Sequence, residues 1–366
     1  MISRKGRVPT GEAERSGVVV GMSGGVDSSV AAWSLHEQGY RVVGVTLRLF
    51  CYSGTSTGLR PCCSKASLDQ ARRLCHRLGI LHHVVDVEDR FRRAVIDYFV
   101  REYRRGRTPN PCIVCNEKIK FPVLSEIADS LGFSFIATGH YVRTVQRPGG
   151  RFLLARADDS RKDQSYFLYR VPVGLLGRSL FPLGTLHKTE VKRLAQRLGV
   201  RSSGAHESQD VCFIPGGDLR AFLESRIGQR PGQVVGSDGI VLGRHRGVFN
   251  YTVGQRRGLG IAGGVPLYVK EIDVSRNRIV LATDEMLYVR HVSCDGVRLR
   301  MRSPDGPLTA KIRYRHQPAQ VRSLRRGRGS MEIRFTSPQR AATPGQSLVL
   351  YRDDEVVGGG IIACTR

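Results

Sequence analysis

The sequence predicts an open parallel α/β sheet first, then a small central β-rich domain, then a C-terminal β-barrel. Three observations carry that expectation. A strand, a glycine loop, a helix and a second strand follow one another between Gly17 and Leu47. β-Branched runs alternate with helical stretches as far as Thr138. After Cys212 the chain turns to short apolar runs punctuated by glycine and proline, the pattern of a small barrel or sandwich.

Gly17-Val-Val-Val20 is the first strand, and Gly21-Met-Ser-Gly-Gly-Val-Asp-Ser-Ser29 is the loop that leaves it. Val30–Leu35 suits a helix that stops near Gly39. Arg41–Leu47 is a second strand, and a crossover of this length makes the pair parallel. Leu81–Val87 and Phe133–Thr138 repeat the strand pattern, with helical stretches near 65–78, 90–105 and 120–131. Pro215-Gly-Gly217 and Pro231-Gly232 then signal turns. Short strands follow at Gly239–Gly243, Leu267–Ile272, Arg278–Ala282, Ala310–Tyr314, Met331–Phe335 and Ser347–Tyr351. Boundaries near 215 and 280 divide the chain into 16–215, 216–280 and 281–366, after a basic disordered arm at Met1–Arg15.

The charge balance is 58 Lys+Arg against 32 Asp+Glu, a net charge of +26. That excess fits a polyanionic partner, and clustered guanidinium groups fit nucleic acid best. A host with arginine-rich proteins in general is the competing explanation. No apolar run approaches the ~18–20 residues of a membrane helix, and the first residues lack the apolar core of a secretory signal. Nine cysteines are too sparse and too odd in number for a disulfide scaffold, which points to a reducing cytoplasm.

The loop Gly21–Ser28 has the ingredients of a phosphate cradle. Glycines let backbone N–H groups approach closely, the helix N-terminus adds a favourable dipole, and Ser23, Ser28 and Ser29 can donate hydroxyls. Asp27 would repel a bare phosphate, so it implies Mg²⁺ or a structural cap. The loop has neither the ending of a P-loop nor the spacing of a dinucleotide fold, and it is too specific for an ordinary tight turn.

Cys112 and Cys115 follow two prolines in Thr108-Pro-Asn-Pro-Cys-Ile-Val-Cys-Asn116, with a helix expected from about Glu117. Cys115 near a helix N-terminus, with Lys118 and Lys120 beside it, has the surroundings of a stabilised thiolate. Half a zinc site is the other reading, and no second Cys/His pair follows at suitable spacing. Cys212, between Val211 and Phe213, reads in isolation as a small buried hydrophobe. Cys75 shares an apolar face with Leu68, Ala71 and Leu78 and reads as core. Cys62-Cys63 reads as local structure, and Cys51, Cys294 and Cys364 carry no signal.

The glycine loop resembles the pyrophosphate loop of the ATP pyrophosphatase superfamily, whose fold is that of the adenine nucleotide alpha hydrolases. Seven motifs in order make the chain similar to the tRNA-specific 2-thiouridylases. They are residues 21–29, Gly-Arg-Thr-Pro-Asn-Pro (106–111), Cys-Asn-Glu-Lys-Ile-Lys-Phe (115–121), Ala-Thr-Gly-His-Tyr (137–141), Lys-Asp-Gln-Ser-Tyr-Phe-Leu (162–168), Ser-Gln-Asp-Val-Cys-Phe-Ile (208–214) and Tyr-Thr-Val-Gly-Gln-Arg-Arg-Gly-Leu-Gly (251–260).

The resemblance implies ATP, with Mg²⁺, on Gly21, Met22, Ser23, Gly24, Gly25, Val26, Asp27 and Ser28, with Leu47 and Gly139 at the nucleoside. It places Asn110, Pro111 and Cys112 at the target base, and Lys162, Asp163, Gln164, Arg313 and Tyr314 on tRNA. Read alone, Lys162-Asp163 is a solvated turn and Tyr314 a packed strand aromatic. The implied chemistry is adenylation of the wobble uridine, then sulfur transfer, with Cys212 as the persulfide and Cys115 as the nucleophile. The persulfide would come from a sulfur-carrier protein or a cysteine desulfurase, and a monomer fits a large tRNA interface. Many family members have Asp where this chain has Cys112, so Cys112, Cys115 and Cys212 are also candidate ligands of an iron–sulfur cluster. Two other function classes stay open here: an adenylating enzyme that uses an amine, and a non-catalytic RNA-binding protein.

Overall fold

The computed structural model describes residues 16–50, 65–200, 211–261, 264–301 and 306–365. The arm Met1–Arg15 and Cys51, Cys62 and Cys63 lie outside the described residues. The chain divides into two compact units. One contains the chain up to Ala94 and from Ile113 to Gly216; the other contains Val95–Cys112 and everything from Gly217 onward.

The first unit is built on a parallel sheet. Its strands are β1 (Gly17–Gly21), β2 (Arg41–Arg48), β3 (Leu81–Asp86) and β4 (Phe135–Ala137). A hairpin follows, β5 (Arg143–Arg147) and β6 (Arg151–Ala155), then β7 (Ser179–Leu180), which sequence reasoning missed because it is two residues long. The order is β3-β2-β1-β4-β7, every neighbour parallel. Val18, Val19 and Val20 are fully buried, as a strand covered on both faces requires. The chain leaves β1 for β2 on one side and later returns to β4 on the other. The carboxyl ends of β1 and β4 therefore flank the crevice where open α/β sheets bind ligands.

Helix α1 (Val26–Glu37) starts four residues before its apolar run, because Asp27-Ser28-Ser29 form its first turn. Ser29 N–H donates to Gly25 C=O at 3.1 Å and closes that turn. Val30, Ala31, Ala32 and Leu35 then bury against Leu183, Val191 and Ala195. Helix α2 (Lys65–Arg77) buries Ala71, Leu74 and Cys75, so Cys75 is core as expected. Helix α3 (Glu88–Phe91) passes through a π-helical turn, Arg92–Ile96, into α4 (Asp97–Arg104).

The next helix begins at Pro111, six residues earlier than Glu117, the expected start. It runs as α5 (Pro111–Cys115), a π-helical turn Asn116–Lys120, and α6 (Phe121–Ser130). Proline suits the first helical position because its missing N–H would have no partner there. Short helices α7 (Ser165–Leu168) and α8 (Val173–Leu176) precede α9 (Lys188–Arg197).

In the second unit, α10 (Leu219–Ile227) leads into four strands, β8 (Gly232–Gly236), β9 (Val241–His245), β10 (Tyr268–Asp273) and β11 (Arg278–Ala282). They form a sheet in the order β10-β11-β8-β9 over a core of Val234, Val269, Ile279 and Leu281. Six more strands follow: β12 (Tyr288–Leu299), β13 (Leu308–Lys311), β14 (Ala319–Arg326), β15 (Ser330–Arg340), β16 (Ser347–Arg352) and β17 (Glu355–Thr365). β12 pairs with both β15 and β17, which closes these six into a barrel filled by Val292, Ile333, Phe335, Leu348 and Leu350. β13 ends at Lys311, so Arg313 and Tyr314 lie in the turn after it and not in a strand.

Candidate active site

The glycine loop curls around Ser28. Ser23 N–H donates to Ser28 Oγ at 3.2 Å, Gly25 N–H donates to Ser23 Oγ at 3.3 Å, and Ser28 Oγ donates to Gly25 C=O at 3.1 Å. Gly24 has φ +72°, and a Cβ there would fall 2.0 Å from Ser67 C=O. Met22 contributes backbone only: its side chain is core, and its N–H donates to Val45 C=O. Gly139, just after β4, presses on this loop: a Cβ would meet Asp27 C and Ser28 N, each at 2.7 Å. Leu47 is half-buried near the end of β2. The glycine loop and the loop after β4 thus meet at the switch point, with the N-terminus of the 12-residue α1 aimed into it. That is the geometry a triphosphate needs.

Asp27 acts as a node. Its Oδ1 accepts from Tyr141 Oη at 2.8 Å and lies 2.6 Å from Lys188 Nζ. Lys188 is the first residue of α9, and its ammonium also stands over the Tyr141 ring, 5.5 Å from the centroid. Sequence reasoning missed Lys188. The available signal was positional, since a cation at a helix N-terminus opposes the dipole unless something else holds it.

The segment Lys162–Gln164 feeds the same node. Gln164 clamps Tyr141 from both directions: Tyr141 N–H donates to Gln164 Oε1 at 2.9 Å, and Gln164 N–H donates to Tyr141 C=O at 2.8 Å. Asp163 is buried and accepts from Ala157 N–H, Ser165 N–H and Ser165 Oγ, so its carboxylate is spent on shaping its own turn. Lys162 is half-buried beside it.

Cys115 ends α5 and is buried, with the π-helical turn directly after it. Two side chains lock that turn. Asn116 Nδ2 donates to Phe167 C=O at 3.1 Å, and Glu117 holds a two-point ion pair with Arg170, at 2.7 and 3.2 Å, with both side chains nearly buried. π-Helical turns occur often at functional sites. Cys212 is half-buried, and its neighbour Phe213 anchors it by packing edge-on against Phe91 at 5.7 Å. Cys112, Cys115 and Cys212 are all thiols in this structure. Burial pushes Cys75 up to about 11 and Cys294 higher still, which removes both as nucleophiles near neutral pH.

Among the described residues, no three His, Cys, Asp or Glu side chains stand together as a metal ion would require. Asp27 is the single acid of the loop and already holds Lys188 and Tyr141, which makes it a structural node here.

The second unit carries Asn110, Pro111 and the exposed Cys112. The segment before them is tied down at Thr108. Thr108 N–H donates to Pro344 C=O at 2.8 Å, Gln346 Nε2 donates to Thr108 C=O at 2.8 Å, and Thr108 Oγ1 meets Thr252 Oγ1 at 3.2 Å. Buried Glu102 holds Arg107, at 3.6 Å. Gly345 (φ +92°) leaves no room for a side chain, because a Cβ would lie 2.7 Å from Thr108 N. Arg313 is exposed and donates to Arg340 C=O at 3.4 Å, and Tyr314 faces Lys311 at 5.6 Å from its ring centroid. The ties of Thr108 to Thr252, Pro344 and Gln346 were not legible, since they join residues more than a hundred positions apart.

Comparison with known proteins agrees with this arrangement. The tRNA methyl transferase HUP domain model matches residues 16–216, the tRNA methyl transferase PRC-barrel domain model matches 220–283, and the aminomethyltransferase β-barrel domain model matches 291–362. The tRNA-specific 2-thiouridylase MnmA of Geobacter metallireducens is 44% identical over 359 residues, covering 96% of this chain and 98% of that protein. The protein of the same name from Heliobacterium modesticaldum is 45% identical over 353 residues, covering 94% and 92%. With a parallel α/β domain, a central PRC-barrel-like domain and a closed C-terminal barrel in the same order, the chain belongs to the tRNA-specific 2-thiouridylase family.

Proposed function

We propose that the protein is a tRNA uridine 2-sulfurtransferase that uses ATP to replace O2 of the wobble uridine, position 34, with sulfur. The observation that carries this reading is the close approach of Gly139 to Asp27 and Ser28, which joins two nucleotide loops at the switch point of the sheet. ATP lies along Gly21–Ser28 with its nucleoside toward Leu47 and Gly139. Lys188, held ready by Asp27, faces the charge that develops on the phosphates. Mg²⁺ bound with the nucleotide would supply further counter-charge beside Lys188.

The uridine leaves its stack to reach the site, with Asn110, Pro111 and Cys112 bordering it. Its O2 attacks the α-phosphorus and pyrophosphate leaves. A persulfide on Cys212, loaded by a sulfur-carrier protein or a cysteine desulfurase, is the sulfur source. In one branch its terminal sulfur attacks C2, AMP leaves, and Cys115 then attacks Cys212 Sγ and releases the thiolated base. In the other, Cys115 first attacks Cys212 Sγ and frees hydrosulfide, which attacks C2. Both branches end in a Cys115–Cys212 disulfide that a two-electron reductant must reopen.

The test is tRNA-dependent pyrophosphate release and thiolation, measured side by side with a persulfide donor. Cys115→Ser and Cys212→Ser should abolish thiolation yet still release pyrophosphate from ATP. Full thiolation by the Cys212→Ser protein would overturn the persulfide assignment. Absence of tRNA-dependent pyrophosphate release from the unsubstituted protein would overturn the adenylation step.

A further inference from the structure

The β14–β15 hairpin of the barrel carries charge that the proposed chemistry does not use. Between Ala319 and Arg340 it contains six arginines and a single acid, Glu332. Val321, Leu324, Ile333 and Phe335 face the barrel core, so the residues between them face out. Strand alternation and a bulge between Val321 and Ser323 put Arg322 on the outer face beside Ser323, both exposed. Arg325 and Arg334 are also exposed, and Arg328 lies in the tight turn. The register extends the band sideways: Arg334 lies opposite Ser323 on one side and the exposed His291 of β12 on the other.

Two features set this band apart from an ordinary solvated face. Among the described residues, no carboxylate forms an ion pair with Arg322, Arg325, Arg328 or Arg334, although Glu332 stands opposite Arg325 in the register, whereas Arg340, Arg352 and Arg278 of the same unit each hold a carboxylate. The band also lacks the apolar anchors that protein interfaces need, since no large hydrophobic side chain is exposed between Ala319 and Arg340. Unneutralised guanidinium groups on an exposed polar surface match the phosphates of a nucleic-acid backbone. The band stands away from Arg313 and Tyr314. Ala319 pairs with Ala310 at the Arg313 end, and Arg325 lies six residues further along β14, about 20 Å at the rise of a strand.

We infer that the outer face of β14–β15, with Arg322, Arg325 and Arg334 at its centre, docks the sugar–phosphate backbone of the tRNA body, beyond the anticodon arm. This rests on tRNA being the substrate, and it adds a contact surface separate from Arg313 and Tyr314.

The experiment compares the Arg322→Gln/Arg325→Gln/Arg334→Gln protein with the unsubstituted one. Binding of full-length tRNA and of an isolated anticodon stem–loop is measured over a salt series. For full-length tRNA, Kd should rise about tenfold or more, and the slope of log K against log salt should shrink by about 2–3. Stem–loop affinity and kcat at saturating tRNA should not change. The corresponding triple Arg→Lys protein, which keeps the charge, should recover most of the salt slope and guards against a folding defect. Unchanged affinity and slope for full-length tRNA would overturn the inference, and so would an equal loss for the stem–loop. If the unsubstituted protein does not bind tRNA at all, the failure lies with the underlying substrate reading.

Discussion

Lys188 Nζ lies 2.6 Å from Asp27 Oδ1, so the one acid in the glycine loop is matched by a cation that comes from a helix 161 residues further along the chain. The pair is half-buried, with Lys188 13% and Asp27 37% exposed. Asp27 is also the acceptor of Tyr141 Oη. On the proposed reading, the ammonium is stored beside the glycine loop on a partner that an incoming polyphosphate can outbid.

Removal of that charge should slow the ATP half-reaction more than it harms the fold. Lys188→Met should lower the rate of tRNA-dependent pyrophosphate release by about 10²-fold, the usual cost of deleting one preorganised charge. Asp27 would remain hydrogen-bonded to Tyr141 and the melting temperature should change little. Pre-steady-state pyrophosphate release with saturating ATP checks this. A wild-type rate would show that Lys188 only caps Asp27.

A second expectation concerns Thr108, which Pro344, Gln346 and Thr252 hold in place two residues before Asn110. Gly345→Ala puts a methyl group 2.7 Å from Thr108 N in a backbone conformation that disfavours side chains. The Asn110–Cys112 segment must then shift. Thiolation kcat should fall at least tenfold with tRNA affinity nearly unchanged, because a small misplacement of positioning groups costs rate rather than binding. Rapid-quench thiolation and filter binding, run in parallel, separate the two effects.

The pH dependence of stability follows from histidines that burial holds neutral: His82 and His245 are shifted down, and two others are shifted furthest. Burial, assisted by the Lys120 charge, holds His140 down to about 3, beside Thr138 Oγ1 at 2.8 Å and stacked on Phe121. Burial first, then Arg313 and Lys311, hold His316 down to about 4. In the unfolded chain both titrate near 6.5. Above that pH both states are neutral and nothing depends on protonation. Below it the unfolded state takes up protons that the folded state refuses, so stability drops as pH falls, by about 2 kcal/mol at pH 5 for His140 and by less for the partly exposed His316. Asp86, Asp159 and Asp273 are shifted down from 3.8 and lose their contribution only at lower pH. Urea unfolding at pH 7.5, 6 and 5 isolates the histidines, and His316→Asn should remove one share of the slope.

The sheet strands and most helices were legible because each is a local pattern. Val18–Val20 and Arg41–Leu47 are apolar runs that only a buried parallel strand explains. The glycine loop was legible because its chemistry is contiguous. Boundaries failed where polar residues begin a helix: Asp27-Ser28-Ser29 belong to α1, and Pro111 opens a helix that was expected only from about Glu117. Lys188 and the Thr108 ties were invisible for another reason. Their meaning lies in long-range contacts, and neither carries a periodic or compositional signature. The segment 106–112 also reads as part of the α/β domain by position, yet its bonds are to Thr252, Pro344 and Gln346.

The buried Glu117–Arg170 pair gives the last expectation. It clamps the π-helical turn immediately after Cys115, with Arg170 11% and Glu117 8% exposed. Breaking one side leaves the other charge buried without its partner, which costs about 3–5 kcal/mol. Arg170→Met should therefore destabilise the protein by that amount. Glu117→Gln in the same chain removes the stranded charge and should restore part of it. Stability is only half of the test, because the pair also sets where Cys115 sits. If so, the double variant, although folded, should alkylate at Cys115 at an altered rate and thiolate slowly while releasing pyrophosphate normally. Chemical unfolding with mass-resolved iodoacetamide labelling of Cys115 reads both effects. Normal thiolation by the stabilised double variant would reduce the ion pair to a structural clamp.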